Sequence, residues 1–193
     1  MMGLMVVSTV GFALVAPAAC TSGVAPIGGE GGTVVVEEEE PEASVVATPQ
    51  ATAVVTLSGA AGCAGDVFTA GSFGTSTPVR NGASEGGGTA TVACVVAGNS
   101  SFTVSGKIIL GNGSSLTLGG TLRSASPPGS LSGMLSDGQS SFTRTACTAT
   151  YPTGGGIAPG RVWAELECAA TGTGVPGSCA ATVKVKFENC TQQ

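Results

Sequence analysis

From residue 51 onward, apolar side chains alternate with serine, threonine and glycine, and no stretch has the period of a helix. Alternation with a period of two is typical of strands with one buried face. The chain therefore predicts an all-β domain over residues 51–193, an antiparallel sandwich or barrel of about eight short strands. The predicted strands are Ala53–Leu57, Thr89–Val96, Phe102–Leu110, Leu116–Leu122, Leu131–Leu135, Ser141–Tyr151, Arg161–Cys168 and Ala180–Phe187.

The first of two predicted hairpins turns at Gly111–Gly113. A three-residue loop with a glycine in the left-handed position places Ile108 opposite Leu116 and Phe102 opposite Leu122. All four side chains then lie on one face, as the alternation requires.

The second predicted hairpin joins Arg161–Cys168 to the strand that follows Cys179. Placing Cys168 opposite Cys179 puts Leu166 beside Ala181 and both sulfurs on one apolar face. A Cys168–Cys179 disulfide is the preferred bridge on this register. The other face then carries Trp163, Glu165, Glu167, Lys184 and Lys186.

Seven cysteines, an odd number, occur in the chain. No pair has the C-x-x-C spacing, which argues against a zinc ribbon or a thioredoxin-like site. Setting Cys20 aside leaves six for three disulfides that brace the β domain. Apart from the preferred bridge, the pairing stays open. The six are Cys63, Cys94, Cys147, Cys168, Cys179 and Cys190.

The N-terminus predicts a targeting segment. Leu4–Ala16 is an uncharged apolar run whose length suits the core of a signal peptide and is short for a membrane-spanning helix. Residues 1–19 are therefore expected to be a signal peptide. Ala16-Pro17-Ala18 has the small residues of an ordinary cleavage site, which would release a secreted protein; an uncleaved anchor is a further alternative.

The residues Ala18-Ala19-Cys20 resemble the lipobox of bacterial lipoproteins. That resemblance covers only the first twenty residues. It implies cleavage before Cys20, lipid attachment to Cys20 and a membrane as partner through that lipid. Because Thr21 follows the cysteine and no aspartate does, it also implies an outer-membrane location in the cell envelope.

Residues 20–50 predict a disordered tether. They carry six glutamates and no lysine or arginine, with many glycines and prolines, so the segment repels itself and has little to bury. Residues 51–193 hold six acidic and seven basic residues, so the acidity of the chain belongs to the tether. No basic surface large enough for nucleic acid is expected.

The sequence offers little equipment for catalysis. It has no histidine, the commonest general base and metal ligand. Glu165 and Glu167 share a strand face and suggest a glycosidase pair, but Lys184 and Lys186 make a solvated, charge-balanced face the preferred interpretation. We therefore expect a non-enzymatic structural or surface protein without metal or cofactor.

A binding function is the alternative. Tyr151 and Trp163 are the only tyrosine and the only tryptophan. An exposed pair of these side chains would suit a carbohydrate or a protein partner. Otherwise Trp163 caps the edge of the core.

Overall fold

A computed structural model of the chain describes residues 47–59, 61–63, 65–73, 77–136, 141–170 and 178–192. These residues belong to one compact unit that runs from Ser44 to Gln193. The predicted signal peptide, the lipobox with Cys20 and nearly all of the predicted tether lie outside the described residues. Within the described part of the chain, no helix is long and apolar enough to cross a membrane.

The described residues form β-strands joined by turns and loops. The strands are β1 (Gln50–Gly59), β2 (Gly65–Ala70), β3 (Val79–Arg80), β4 (Ser84–Glu85), β5 (Gly88–Thr89), β6 (Thr91–Gly98), β7 (Ser101–Ile109), β8 (Ser115–Arg123), β9 (Gly129–Ser136), β10 (Ser141–Thr150), β11 (Gly156–Ala158), β12 (Arg161–Cys168) and β13 (Cys179–Glu188). Every predicted run coincides with one of the longer strands. β2 is the one longer strand that the sequence analysis missed.

Nine strands form one curled antiparallel sheet, a half-barrel, in the order β2-β1-β13-β12-β10-β9-β8-β7-β6. β3 pairs with β1 and β11 pairs with β12, while β4 and β5 form a separate two-stranded hairpin. The predicted all-β antiparallel class is confirmed. The neighbours farthest apart along the chain are β1 and β13, the first strand and the last.

The β7–β8 hairpin has the predicted register. Ile108 lies opposite Leu116 and Phe102 opposite Leu122. The Leu110 amide donates to the Ser114 carbonyl at 2.8 Å and closes a three-residue loop. Gly113 takes a φ of 87°, the left-handed conformation for which glycine was expected.

The β12–β13 hairpin differs from its predicted register by two residues. Leu166 lies opposite Val183, and Cys168 lies opposite Ala181 rather than Cys179. A shift of two keeps every side chain on its predicted face because strand side chains alternate with a period of two. The partner of Cys168 changes, whereas the buried face does not.

The disulfides are Cys63–Cys179, Cys94–Cys190 and Cys147–Cys168, so the predicted Cys168–Cys179 bridge is wrong. The register explains the error: Cys179 lies beyond the end of β12 and opposite Gly59 of β1. There it meets Cys63, while Cys168 meets Cys147 of the neighbouring β10. The prediction that all six cysteines pair is confirmed.

The core fills the concave side of the curled sheet. Alternate residues of every long strand are buried there, most of them valine, leucine and alanine. Phe187 of β13 crosses this space, since a Cβ atom added to Gly106 of β7 would lie 2.5 Å from its ring. β13 and β7 are not neighbours in the sheet order. Their contact therefore shows that the sheet curls around Phe187.

Hydrogen bonds and a disulfide attach the edge strand β6 to distant parts of the domain. The Val96 amide donates to the Thr191 carbonyl at 3.0 Å, and the Gly160 amide donates to the Val96 carbonyl at 2.9 Å. Cys94 of β6 is bonded to Cys190, just past β13. Pairing the edge in this way removes a surface that would otherwise invite strand addition.

Candidate functional site

A groove of about 350 Å³ runs over the outer face of the sheet at Trp163. Trp163 lies between Gly156 of β11 on one side and Lys186 of β13 on the other. Its neighbours Val162 and Ala164 are buried in the core, so alternation turns the indole outward, as predicted. The groove is lined by Gly154, Gly155, Gly156, Ile157, Arg161, Val162, Trp163, Lys186, Phe187 and Glu188.

A fixed ion pair lies across the groove. The Lys186 ammonium is 2.8 Å from a Glu188 carboxylate oxygen and 5.7 Å from the centroid of the Trp163 ring. Gln50 donates to the other Glu188 oxygen at 2.9 Å. The hydrogen bond from Lys186 holds the pKa of Glu188 below its ordinary value, against the opposing effect of burial. The pairing therefore favours the ionised form of Glu188 and holds the Lys186 ammonium over the Trp163 ring.

Glycines form one wall of the groove. Gly154 takes a φ of 79°, and a Cβ atom there would lie 3.8 Å from the Trp163 ring. The Gly155 amide donates to the Pro152 carbonyl at 2.7 Å, closing a tight turn. The turn brings bare backbone close to the indole, which suits hydrogen bonding to a bound molecule.

A smaller pocket of about 50 Å³ adjoins the groove and shares Trp163, Lys186 and Glu188 with it. Its other walls are Phe73, Pro78 and Thr52. Thr52 has the outward position on β1, yet it is only 2% exposed. Gly71 lies against it, since a Cβ atom there would be 3.0 Å from Thr52 Cγ2.

The Thr52 hydroxyl is buried without a hydrogen-bond partner among the described residues. Leaving a buried polar group unpaired costs about 1–3 kcal/mol. Such a group in a natural protein calls for an explanation, and one explanation is a bound molecule. The sequence analysis missed Thr52, because a threonine at an outward strand position predicts contact with solvent.

Tyr151 lies apart from this groove. It follows directly after β10 and lies on the same face as the buried residues Cys147 and Ala149. Its side chain packs against the core. Its hydroxyl donates to the Arg123 carbonyl at 2.6 Å. The structure therefore does not bring Tyr151 and Trp163 together into one platform; of these two side chains, only Trp163 lines the groove.

Tyr151 is expected to titrate above the ordinary value of 10.0, because burial raises the pKa of its hydroxyl. The folded state favours the neutral form. The contribution of the buried, neutral Tyr151 hydroxyl to the free energy of unfolding is therefore full below the pKa that the hydroxyl has in the unfolded state. It is lost as the pH rises through the higher pKa that the hydroxyl has in the folded state. Absorbance titration measures this cleanly, since the chain has one tyrosine. Equal midpoints for folded and denatured protein would contradict the assignment.

The predicted charged face on β12 and β13 is present. Glu165 lies opposite Lys184, with the carboxylate 4.0 Å from the ammonium, and both side chains are partly solvated. Glu167 is exposed and lies opposite Thr182. An exposed pair at this distance contributes little to stability.

One serine motif escaped the sequence analysis. Gly82–Gly86 has the G-x-S-x-G spacing of a nucleophile elbow, which places its serine between a strand and a helix. Here Ser84 lies in the two-stranded β4–β5 hairpin, and the chain has no histidine to activate it. Gly86 instead serves the turn, with a φ of 64°. Among the described residues, no three histidine, cysteine, aspartate or glutamate side chains gather as metal ligands would.

Comparisons with family models, with curated proteins and with solved structures find no match for this chain. Its fold defines it as a disulfide-braced, curled antiparallel β domain. Its outer face carries the groove at Trp163.

Proposed function

We propose that this chain is an exported cell-envelope protein, attached to a membrane by a lipid on Cys20, whose β domain is a non-enzymatic surface module. The three disulfides carry the proposal, since structural disulfides persist in oxidising compartments outside the cytosol. The apolar run before Cys20 supplies the export signal, and residues 20–50 would hold the domain away from the membrane.

The chemistry of the chain favours a role in structure or contact over catalysis. Nucleophilic catalysis needs a base beside the nucleophile, and the commonest one is missing from the whole sequence. Glu188, the carboxylate that lines the groove, is paired with Lys186 and Gln50.

Intact mass spectrometry with and without reductant tests the proposal. We expect a chain that begins at Cys20, carries added acyl mass and gains six hydrogens when its three disulfides are reduced. A Cys20→Ala variant should lose the acyl mass while gaining the same six hydrogens.

Two other results would revise or overturn it. A chain that begins at Ala19 without acyl mass would support secretion and refute the lipid anchor. A chain that keeps Met1 and gains no hydrogens on reduction would refute export.

Binding of a carbohydrate or a protein partner is a second candidate function, favoured by the groove at Trp163. The indole is the only tryptophan of the chain, so all tryptophan fluorescence comes from this site. Quenching or enhancement by a glycan in titration would support the function, and an unchanged signal across a broad panel would count against it.

A further inference from the structure

We propose that the groove binds an acidic sugar unit of a glycan. The ring of the sugar would lie on the Trp163 indole, its carboxylate would meet Arg161, and one of its hydroxyls would pair with Thr52. This inference rests on the second candidate function above and specifies its ligand and its contacts.

The indole supplies the apolar surface. A pyranose ring has a face of C–H groups, which packs on the electron-rich face of an aromatic ring. Trp163 is partly exposed and lies along the groove of about 350 Å³, a volume suited to a small ligand. Gly154 and Gly155 also line the groove and carry no side chains that would narrow it.

Arg161 supplies the charge preference. The groove holds two cations and one carboxylate, but Lys186 and Glu188 are 2.8 Å apart and largely offset each other. Within the described part of the chain, the exposed Arg161 guanidinium is not within salt-bridge distance of a carboxylate, although its charge also lowers the pKa of Glu188. A planar guanidinium binds a carboxylate through two parallel hydrogen bonds. Two cations and one carboxylate leave the groove with a net positive charge.

Thr52 supplies the observation that points independently to a ligand. Thr52 is 2% exposed and lines the pocket that opens beside Trp163, and its hydroxyl has no partner among the described residues. The hydroxyl oxygen itself is out of contact with solvent, so a sugar hydroxyl reaches it when the Thr52 side chain rotates toward the pocket. The pocket of about 50 Å³ admits a hydroxyl or hydroxymethyl group rather than a whole ring. A sugar on the indole carries hydroxyl groups around its edge. An acidic peptide side chain ends in a carboxylate and has no separate hydroxyl group that could enter the pocket.

The test is a calorimetric titration of the β domain within the full chain. The probes are oligomers of galacturonic, glucuronic and mannuronic acid, the same oligomers with their carboxyl groups reduced to alcohols, and a polyglutamate peptide. At least one uronic acid oligomer should bind, and its reduced form should bind about tenfold more weakly, as expected for loss of one charge-assisted contact. Tryptophan fluorescence should change in parallel.

Three variants assign the contacts. Trp163→Ala should abolish binding. Arg161→Gln should reduce the affinity for the acid oligomer to that of its reduced form, while the matched control Arg123→Gln changes neither. Thr52→Val should weaken both forms about tenfold without lowering the melting temperature, because it removes an unpaired hydroxyl and keeps the shape. The exposed Thr103→Val is its control.

The outcomes separate this inference from the function on which it rests. If acid and reduced oligomers bind equally well through Trp163, the carbohydrate function stands and the acidic preference is refuted. If polyglutamate binds through Trp163 and the sugars do not, a protein partner replaces the sugar. If Thr52→Val has no effect on binding, the buried contact is refuted. If no probe binds, the inference and the second candidate function both fail.

Discussion

Replacing Phe187 with alanine is expected to lower the free energy of unfolding by about 3–5 kcal/mol, the usual cost of deleting a buried aromatic ring. Phe187 is 1% exposed and is one of the largest fully buried side chains. Its ring reaches from β13 to the backbone of Gly106 on β7, so its loss would open a cavity between the two sides of the curled sheet. Urea denaturation followed by circular dichroism measures the change.

Gly106 tests whether this contact is the cause. A methyl group there would lie 2.5 Å from the Phe187 ring, so Gly106→Ala alone should also destabilise the fold, by about 1–3 kcal/mol. In the Phe187→Ala background the same methyl enters vacated space, and its cost should largely disappear. Strictly additive effects would contradict the contact. The exposed Lys184→Ala is the control, with an expected change within about 0.5 kcal/mol.

The sequence predicted what alternation and short turns determine. The β7–β8 hairpin had both: apolar residues at every second position, and a glycine where the three-residue loop needs a left-handed backbone. In the β12–β13 hairpin the alternation was equally clear, but the connection between the strands is too long for its turn residues, such as Pro176-Gly177, to determine the register. Alternation alone leaves registers that differ by two residues nearly equivalent. The buried face was therefore predictable and the cysteine partner was not.

The disulfide pairing depends on contacts between distant parts of the chain. Cys63 meets Cys179 only because β1 pairs with β13 along its whole length. Nothing local to either strand specifies that partner. The same limit applies to Cys94 and Cys190, whose contact depends on how far the sheet curls.

The candidate site was predictable in its centre and not around it. Trp163 was identified because strand alternation places it on the outward face and because it is the only tryptophan of the chain. Tyr151 lies past the end of β10 in the inward register, whereas Trp163 faces outward from β12. Strand alternation alone therefore argued against placing the two side chains in one binding surface. Thr52 could not have been found, because the segment that packs against it, at Gly71, lies outside the predicted strands.

Removing the Cys94–Cys190 disulfide is expected to cost about 4–5 kcal/mol, more than removing Cys147–Cys168, at about 3 kcal/mol. The bridges span 96 and 21 residues, and a longer closed loop restricts the unfolded chain more strongly. Paired Cys→Ala variants, unfolded in urea under oxidising conditions, measure both. A cost near 5 kcal/mol is comparable to the whole stability of many domains, so the Cys94/Cys190 variant should be close to unfolding at 37 °C.

The two variants should also differ in where the native state opens. Cys94 and Cys190 lie beside the hydrogen bonds that join Val96 of β6 to Thr191 and Gly160, so their removal should raise amide exchange along β6. Cys147 and Cys168 join adjacent strands that the sheet already aligns, and exchange in β6 should stay unchanged without them. Equal destabilisation, or exchange that rises equally in β6 for both variants, would contradict the view that Cys94–Cys190 holds the free edge of the sheet. If the edge is held by that one covalent bond, reduction of the bond is the event that exposes β6 to pairing with another chain.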